Sequence, residues 1–245
     1  MAPHVTPPSP APPPGEEVYD INVPIRALRE SKNEKRDHKY KQYMPAWDKV
    51  FFPPLPPFEF TDPALRADIH KRNLLRPGVR TTELSPKMGT ELSGVQLSQL
   101  SDQAKDDLAL LVSERKCVVF RDQDFADWGP ENQQNFAKHF GKAHYQPVTG
   151  SVPGFPGFHI IYRDGSNQEE VTRFFEQKSS ATLWHHDVSY EKQPPGYVIL
   201  CILQCPESGG DTVMASMTEA YKYVPPPLPR KKKKKAHLPL SIPIH

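Results

Sequence analysis

The segment WHHDVSY at residues 184–190 decides how this chain is interpreted. It contains a His-x-Asp pair, His185 and Asp187. Successive side chains of a β-strand point to opposite faces, so on a strand these two residues share a face. An imidazole and a carboxylate held close together can bind a divalent metal. With a distal histidine they form a 2-His-1-carboxylate site that leaves positions on Fe(II) open. On this pair alone, the plainer interpretation of a histidine and an aspartate at a strand end stays open.

Further motifs follow the pair in a fixed order along the chain. Pro194-Pro195-Gly196 comes first, then an apolar run over residues 197–202, and then Gly209-Gly210-Asp211-Thr212. The order W-H-x-D-V, P-P-G, G-G-D-T resembles the taurine/2,4-dichlorophenoxyacetate dioxygenase (TauD/TfdA) family, over residues from about 85 to 223. The resemblance implies an α+β fold in which a double-stranded β-helix, or jelly roll, is flanked by helices.

The resemblance also implies a chemistry, because members of this family are Fe(II)- and 2-oxoglutarate-dependent oxygenases. Position by position, His185 and Asp187 match metal ligands, and Thr212 matches a residue whose hydroxyl helps to bind 2-oxoglutarate. Gln146 and Val188 match positions on the substrate side. The implied reaction uses O2 and a small organic anion, with a sulfonate as the first expectation, and releases sulfite, succinate and CO2.

Two positions depart from the taurine-specific members of the family. Where those members read H-P-V-Y, this chain reads Gln-Pro-Val-Thr at residues 146–149, and Ala181 replaces an asparagine. Glutamine can hydrogen-bond an anion but cannot carry a positive charge. These departures argue against taurine itself as the substrate. Nearby, His144 is either another pocket histidine or, more simply, a structural histidine with a satisfied partner.

Two other metal chemistries fit the sequence less well. His186 and Asp187 resemble the dyad of an HD phosphohydrolase, but that site needs a helical surround and the flanks here are strand-like. A cupin would need an H-x-H motif with a downstream glutamate. The TauD/TfdA resemblance therefore accounts for these residues better than either alternative.

Hydrophobic spacing and cap residues predict the elements around these motifs. Ser101 is a good N-cap for a helix with apolar residues at helical spacing, and the range Pro130–Phe140 predicts another helix. Thr218 is expected to cap a short helix that reaches Tyr223. Strands are predicted within residues 85–97, with breaks at Gly89 and Gly94, and at residues 117–120, 158–162, 182–188, 198–204 and 212–215.

Composition indicates an ordinary globular middle between two proline-rich ends. The chain has 245 residues, 29 of them proline, and a formal net charge of +2. That charge gives no reason to expect a nucleic-acid partner, and no apolar run suggests a membrane span. Three cysteines fit a reducing compartment, so we expect a cytoplasmic protein with Cys201 and Cys205 in the core. A homo-oligomer stays open.

Four regions are expected along the chain. They are a disordered proline-rich arm at residues 1–17, a charged and then Pro/aromatic extended segment at 18–61, a partial TauD/TfdA-like domain at 62–224, and a Pro/Lys-rich tail at 225–245. Residues 164–180 read as a loop over the site. The tail contains a P-x-x-P-x-basic motif, but such motifs are frequent in low-complexity sequence, so no SH3-type partner is expected.

The family domain normally continues beyond the tail's position. That continuation would carry the distal histidine ligand and an arginine that pairs with 2-oxoglutarate. His237 and His245 have no arginine after them, so neither receives the third-ligand role. We therefore expect the jelly roll to be C-terminally incomplete. The alternative to an enzyme is a truncated, catalytically inactive fragment or isoform that acts, if at all, through its tail.

Overall fold

The computed structural model of the protein describes residues 39–46, 56–145, 150–162, 184–189 and 191–224. The chain divides into two compact units. What we call the hairpin unit holds the described residues up to 57 and those from 143 to 195, and the helical unit holds residues 58–142 and 196–224. None of the helices in these described ranges has the length and apolar character needed to cross a membrane.

The helical unit contains a three-stranded sheet with a helix that crosses between two of its strands. β1 (Arg80–Glu83) pairs antiparallel with β2 (Thr90–Ser93), and β2 pairs in parallel with β3 (Val118–Phe120). Parallel neighbours require a long crossover connection, and α1 (Asp102–Arg115) supplies it. Together these elements confirm the strand predicted at residues 117–120 and the helix predicted after Ser101.

Gly94 ends β2 at a position that requires glycine. Its φ is +81°, and a Cβ built there would lie 2.6 Å from the carbonyl oxygen of Gly78. A positive φ disfavours any residue with a side chain, and the carbonyl contact excludes one outright. The predicted breaks at Gly89 and Gly94 are confirmed, because β2 occupies the residues between them.

The ends of α1 follow from its sequence, and its apolar face forms the core. The hydroxyl of Ser101 accepts a hydrogen bond from the backbone N–H of Ala104 at 3.2 Å, as expected of an N-cap. The helix packs on the predicted second helix, α2 (Pro130–Lys138). The buried core residues are Leu74, Leu92, Val95, Leu97, Leu100, Ala104, Leu108, Ala109, Leu111, Phe125, Phe136 and Phe140.

Two aspartates of α1 are buried beside its apolar face, which the apolar spacing did not predict. Asp107 is fully buried and accepts hydrogen bonds from three backbone N–H groups of the loop at residues 68–74, at 2.9, 2.9 and 3.3 Å. Asp106 accepts two hydrogen bonds from the Arg66 guanidinium, at 3.1 and 2.7 Å. Buried polar groups need such partners, so these carboxylates fix the loop that precedes the sheet.

The hairpin unit is built on a short antiparallel pair. β4 (Gly150–Val152) pairs with β5 (Phe155–Ile160), and Ala46 forms an isolated bridge to Ser151. The strand predicted at residues 158–162 is thus present but begins earlier. The two sheets and the helices of the described residues form an α+β arrangement, as predicted.

The stretch after Gly196 departs most from the prediction. Residues 197–216 form neither helix nor strand, so the strands predicted at 198–204 and 212–215 are wrong. The core placement of Cys201 and Cys205 is also wrong, because both are exposed. An apolar run becomes a buried strand only where a neighbouring strand pairs with it and covers it. Within the described ranges, no strand pairs with this run.

The last described helix, α3 (Met217–Lys222), lies where the sequence predicted it but has a different cap. The hydroxyl of Ser216 accepts a hydrogen bond from the N–H of Glu219 at 3.2 Å. Thr218 is already inside the helix. The S-x-x-E spacing from Ser216 to Glu219 is a capping-box pattern that identifies the true start of the helix.

Candidate metal centre

The predicted pair does come together in the hairpin unit. Nε2 of His185 lies 3.0 Å from Oδ1 of Asp187, and the two side chains are 67% and 45% exposed. The described part of the predicted ligand strand is not a strand, because residues 184–186 are irregular and 187–189 form a turn. A turn, rather than the alternation of a strand, brings the imidazole and the carboxylate to one side.

Val188 forms the inner side of this turn. It is 7% exposed, and its φ of +46° lies in the left-handed region. The carbonyl oxygen of Val188 accepts a hydrogen bond from the N–H of Glu191 at 3.0 Å. A β-branched residue is strained at positive φ, so the surrounding contacts must hold this conformation.

Glu191 links the turn to a remote part of the same unit. Its Oε1 lies 3.6 Å from Nε2 of His144, and the two side chains are only 20% and 16% exposed. His144 therefore has a partner, in agreement with the simpler of its two interpretations. Sequence reasoning missed Glu191 because nothing in the local pattern shows which distant residue a surface-type glutamate will meet.

His159 is another neighbour that the sequence did not reveal. It lies on β5, where adjacent atoms desolvate its ring and lower its pKa, although the Asp187 carboxylate acts in the opposite direction. Among the residues that the structure describes, no group of three or more His, Cys, Asp or Glu could hold a metal ion. The described donors at this position are therefore the pair His185 and Asp187.

Thr212 belongs to the helical unit. It is exposed, and it follows Gly209 and Gly210, whose φ values are +82° and +76°. Both glycines thus have a backbone conformation that glycine adopts more readily than any other residue. Gln146, predicted on the substrate side, lies outside the described residues, as does the predicted loop at 164–180.

Tyr197 anchors the start of the irregular stretch in the helical unit. Its hydroxyl donates a hydrogen bond to Oδ1 of Asp62 at 2.6 Å, and the centroid of its ring lies 5.6 Å from the ring centroid of Phe140. Desolvation and the Asp62 carboxylate raise the pKa of Tyr197 far above its usual range. The same Asp62 oxygen caps a 3₁₀ turn through the N–H of Ala64, so this carboxylate serves the fold.

The geometry of the pair suits a divalent metal with nitrogen and oxygen ligands. An imidazole nitrogen and a carboxylate oxygen stand 3.0 Å apart and open to solvent. Imidazole and carboxylate together suit iron and its neighbours among the first-row metals. Binding requires a neutral imidazole and an ionised carboxylate, so metal affinity must fall in acid.

Comparison with known proteins points to one family. Residues 80–236 match the model described as "Taurine catabolism dioxygenase TauD, TfdA family". The chain is 40% identical over 210 residues to an alpha-ketoglutarate-dependent sulfonate dioxygenase of Saccharomyces cerevisiae, a match that covers 84% of this chain and 51% of that protein.

Two further relatives have related names. The alpha-ketoglutarate-dependent dioxygenase cnsM of Penicillium expansum is 41% identical over 191 residues, covering 76% of this chain and 52% of that protein. An alpha-ketoglutarate-dependent sulfate ester dioxygenase of Pseudomonas putida is 32% identical over 143 residues, covering 58% of this chain and 43% of that protein. The chain spans about half the length of the curated relatives it matches.

Proposed function

Because this chain belongs to the TauD/TfdA family of dioxygenases, we propose that it serves the Fe(II)- and 2-oxoglutarate-dependent oxidation of a small organic anion. A sulfonate is the proposed substrate class, since relatives named for a sulfonate and a sulfate ester match 84% and 58% of this chain. The products are then succinate, CO2, sulfite and an aldehyde. The dioxygenase names of the relatives favour this function over a non-catalytic fragment.

The observation that supports the proposal most directly is the contact between His185 and Asp187. Their ligand atoms lie 3.0 Å apart on a solvent-open turn. The donor set fits Fe(II), which accepts imidazole and carboxylate together. We assign both residues as metal ligands. We also propose that the partial domain expected at residues 62–224 belongs to the family's double-stranded β-helix fold.

The residues have separate tasks in this proposal. When bound, Fe(II) supplies the oxidising chemistry together with 2-oxoglutarate and O2, and the protein supplies position and a controlled environment. His185 offers its neutral Nε2, and Asp187 offers one carboxylate oxygen. Val188, the residue between Asp187 and Ser189 in the turn, is buried.

The remaining assignments rest on family position. The Thr212 hydroxyl is proposed to hydrogen-bond 2-oxoglutarate, which its exposure permits. Gln146 is proposed to hydrogen-bond the anionic group of the substrate, and Val188 to border the substrate. The replacement of the histidine of taurine-specific members by Gln146 removes a cationic partner, so we propose a sulfonate other than taurine. The cytoplasm is the proposed compartment.

The experiment is a coupled measurement of succinate and sulfite. The 245-residue chain is supplied with Fe(II), ascorbate, 2-oxoglutarate, air and, in turn, alkanesulfonates, taurine, an alkyl sulfate and the matching carboxylates. We expect succinate and sulfite in equal amounts with at least one sulfonate, and none from Asp187→Ala. The matched control is His70→Ala, because His70 is an exposed histidine of the helical unit. Its succinate yield should equal that of the unmodified chain.

Two results would count against the proposal. Equal succinate from Asp187→Ala and the unmodified chain would remove the assigned ligand. Absence of succinate with every sulfonate, sulfate and carboxylate would refute the activity for this chain.

A further inference from the structure

We infer that the contact between the His144 imidazole and the Glu191 carboxylate is a clasp that positions the turn at residues 187–189, next to His185. The link to metal binding rests on the proposed function, whereas the effect on the turn does not. Both clasp residues are positioning residues, because neither is placed in contact with substrate or with a reacting atom.

The need for a clasp follows from the backbone of the turn. Val188 has a φ of +46° and is buried. The left-handed conformation is unfavourable for an ordinary L-residue, and β-branching adds crowding. The Glu191 N–H closes the turn on the Val188 carbonyl at 3.0 Å, but one such hydrogen bond offsets that cost only in part. The turn therefore requires a further restraint.

The ligand pair does not supply that restraint by itself. The side chains of His185 and Asp187 are 67% and 45% exposed. A polar contact so open to water restrains the turn little, because solvent screens it and two side chains must be ordered. Among the contacts of the described residues, a better protected one lies on the buried side of the turn.

Glu191 is placed to provide it. Its backbone is bonded to Val188, while its side chain meets His144 at 3.6 Å in a region where both side chains are at least four-fifths buried. An imidazole and a carboxylate in such a poorly hydrated position interact more strongly than the same two groups at the surface. Glu191 thus contacts Val188 of the strained turn through its backbone and His144, which precedes β4 in the chain, through its side chain.

A fixed turn matters for metal binding because ligands that must be ordered on binding lower the affinity. Partners outside the ligand set that orient the ligands typically change metal affinity by about 10- to 100-fold. The clasp acts through the backbone rather than on a ligand atom, so we expect a smaller change, of about 3- to 10-fold.

The first test uses the metal-free 245-residue chain. Amide hydrogen exchange of residues 184–191 is compared between the unmodified chain, Glu191→Gln, His144→Gln and the double variant. We expect exchange at the Glu191 amide to rise about threefold or more in either single variant, and the double variant to add little, because both changes break one interaction. The matched control is Glu207→Gln, an exposed glutamate of the helical unit, which should leave the segment unchanged.

The second test measures Co(II) affinity of the same five proteins by calorimetry, with Co(II) as the probe for a divalent site. Weaker binding in Glu191→Gln and His144→Gln, with equal values for Glu207→Gln, supports the positioning role. Unchanged exchange in both single variants overturns the clasp. Altered exchange with unaltered Co(II) affinity overturns its role toward the metal. Altered exchange in a chain that binds no Co(II) supports the clasp and refutes the metal site of the proposed function.

Discussion

Two aspartates in this chain show what separates a carboxylate that stabilises the fold from one that we propose as a metal ligand. Asp107 on α1 is fully buried, and three backbone N–H groups donate to it. Asp187 is 45% exposed, and its carboxylate faces the imidazole of His185 at 3.0 Å. The same side chain is saturated by backbone donors in one region and turned towards solvent in the other.

The two residues are of the same type. What distinguishes them is whether the protein's own N–H groups already use the acceptor positions of the carboxylate. A buried carboxylate must be hydrogen-bonded to offset its desolvation, so the hydrogen bonds of Asp107 leave it nothing to offer a ligand. Asp187 keeps solvent-facing acceptor capacity, which a divalent cation can use. The comparison predicts opposite consequences for stability and metal binding when each is replaced.

Asp107→Ala is expected to cause the largest loss of stability. It leaves three backbone donors without their acceptor, and a buried unsatisfied donor costs about 1–3 kcal/mol, with water compensating the more accessible ones. We expect the free energy of unfolding to fall by about 2–4 kcal/mol, measured by urea titration.

The matched change Asp187→Ala should lower the free energy of unfolding by less than about 1 kcal/mol, since it removes an exposed pair. If the two substitutions were equally destabilising, the distinction between the two carboxylates would fail. An intermediate loss for Asp107→Asn would sharpen it, because the amide keeps one acceptor oxygen.

For metal affinity we expect the opposite order, in which replacing Asp187 has a larger effect than replacing Asp107. Asp187→Asn removes the charge of a proposed ligand, so Co(II) affinity should fall by about 100-fold or more, beyond the 10- to 100-fold typical of an outer partner. Asp107→Asn should bind Co(II) as the unmodified chain does wherever it remains folded. Calorimetric titration at one pH measures both, and equal affinity in Asp187→Asn would refute the assignment of this ligand.

The sequence predicted elements well where local signals agree, and poorly where a distant partner decides. The cap at Ser101, the strand at residues 117–120 and the break at Gly94 depend on nearby residues and are confirmed. The run at 198–204 was predicted as a central strand from its apolar character, but burial depends on a neighbour that periodicity cannot supply.

The candidate site shows the same division. Motif order placed His185 and Asp187 together, and their contact follows from two residues of spacing. The turn at Val188 and the partner of Glu191 were not foreseeable, because a positive φ at valine contradicts its local preference and His144 lies in another segment. Strained positions of this kind are where local reasoning is expected to fail near function.

Asp62 is a third aspartate, which accepts hydrogen bonds from one side chain and one backbone N–H. Its contact with Tyr197 gives a pH-dependent prediction. Its Oδ1 accepts from the Tyr197 hydroxyl at 2.6 Å, and the pKa of Tyr197 is raised by desolvation and by this carboxylate. The folded state then holds the phenol proton more tightly than the unfolded state. Stability from this contact is fully present below the unfolded pKa of about 10 and is lost as pH rises further.

Tyr197→Phe should lower the free energy of unfolding by about 1 kcal/mol at neutral pH, the usual net value of one hydrogen bond. It should also flatten the decline of stability above pH 10, measured by urea titration at stepped pH. The control is Tyr221→Phe, at an exposed tyrosine of α3. A slope above pH 10 that is the same in both variants would show that Tyr197 is not the group responsible.

The smallest expected effect compares the backbone of the ligand turn with that of α1. In a helix, glycine is about 1 kcal/mol less favourable than alanine, and Ala109→Gly in α1 also removes a fully buried methyl group, so it should destabilise by about 2 kcal/mol. At Val188, with φ at +46°, the order should invert: Val188→Gly should be more stable than Val188→Ala by about 1 kcal/mol, since both variants lose the side chain and only alanine keeps the strain. Urea titration of the three variants measures the two differences. Alanine more stable than glycine at 188 would mean that the turn does not hold valine in the left-handed region, and the argument for a restrained ligand turn would lose its basis.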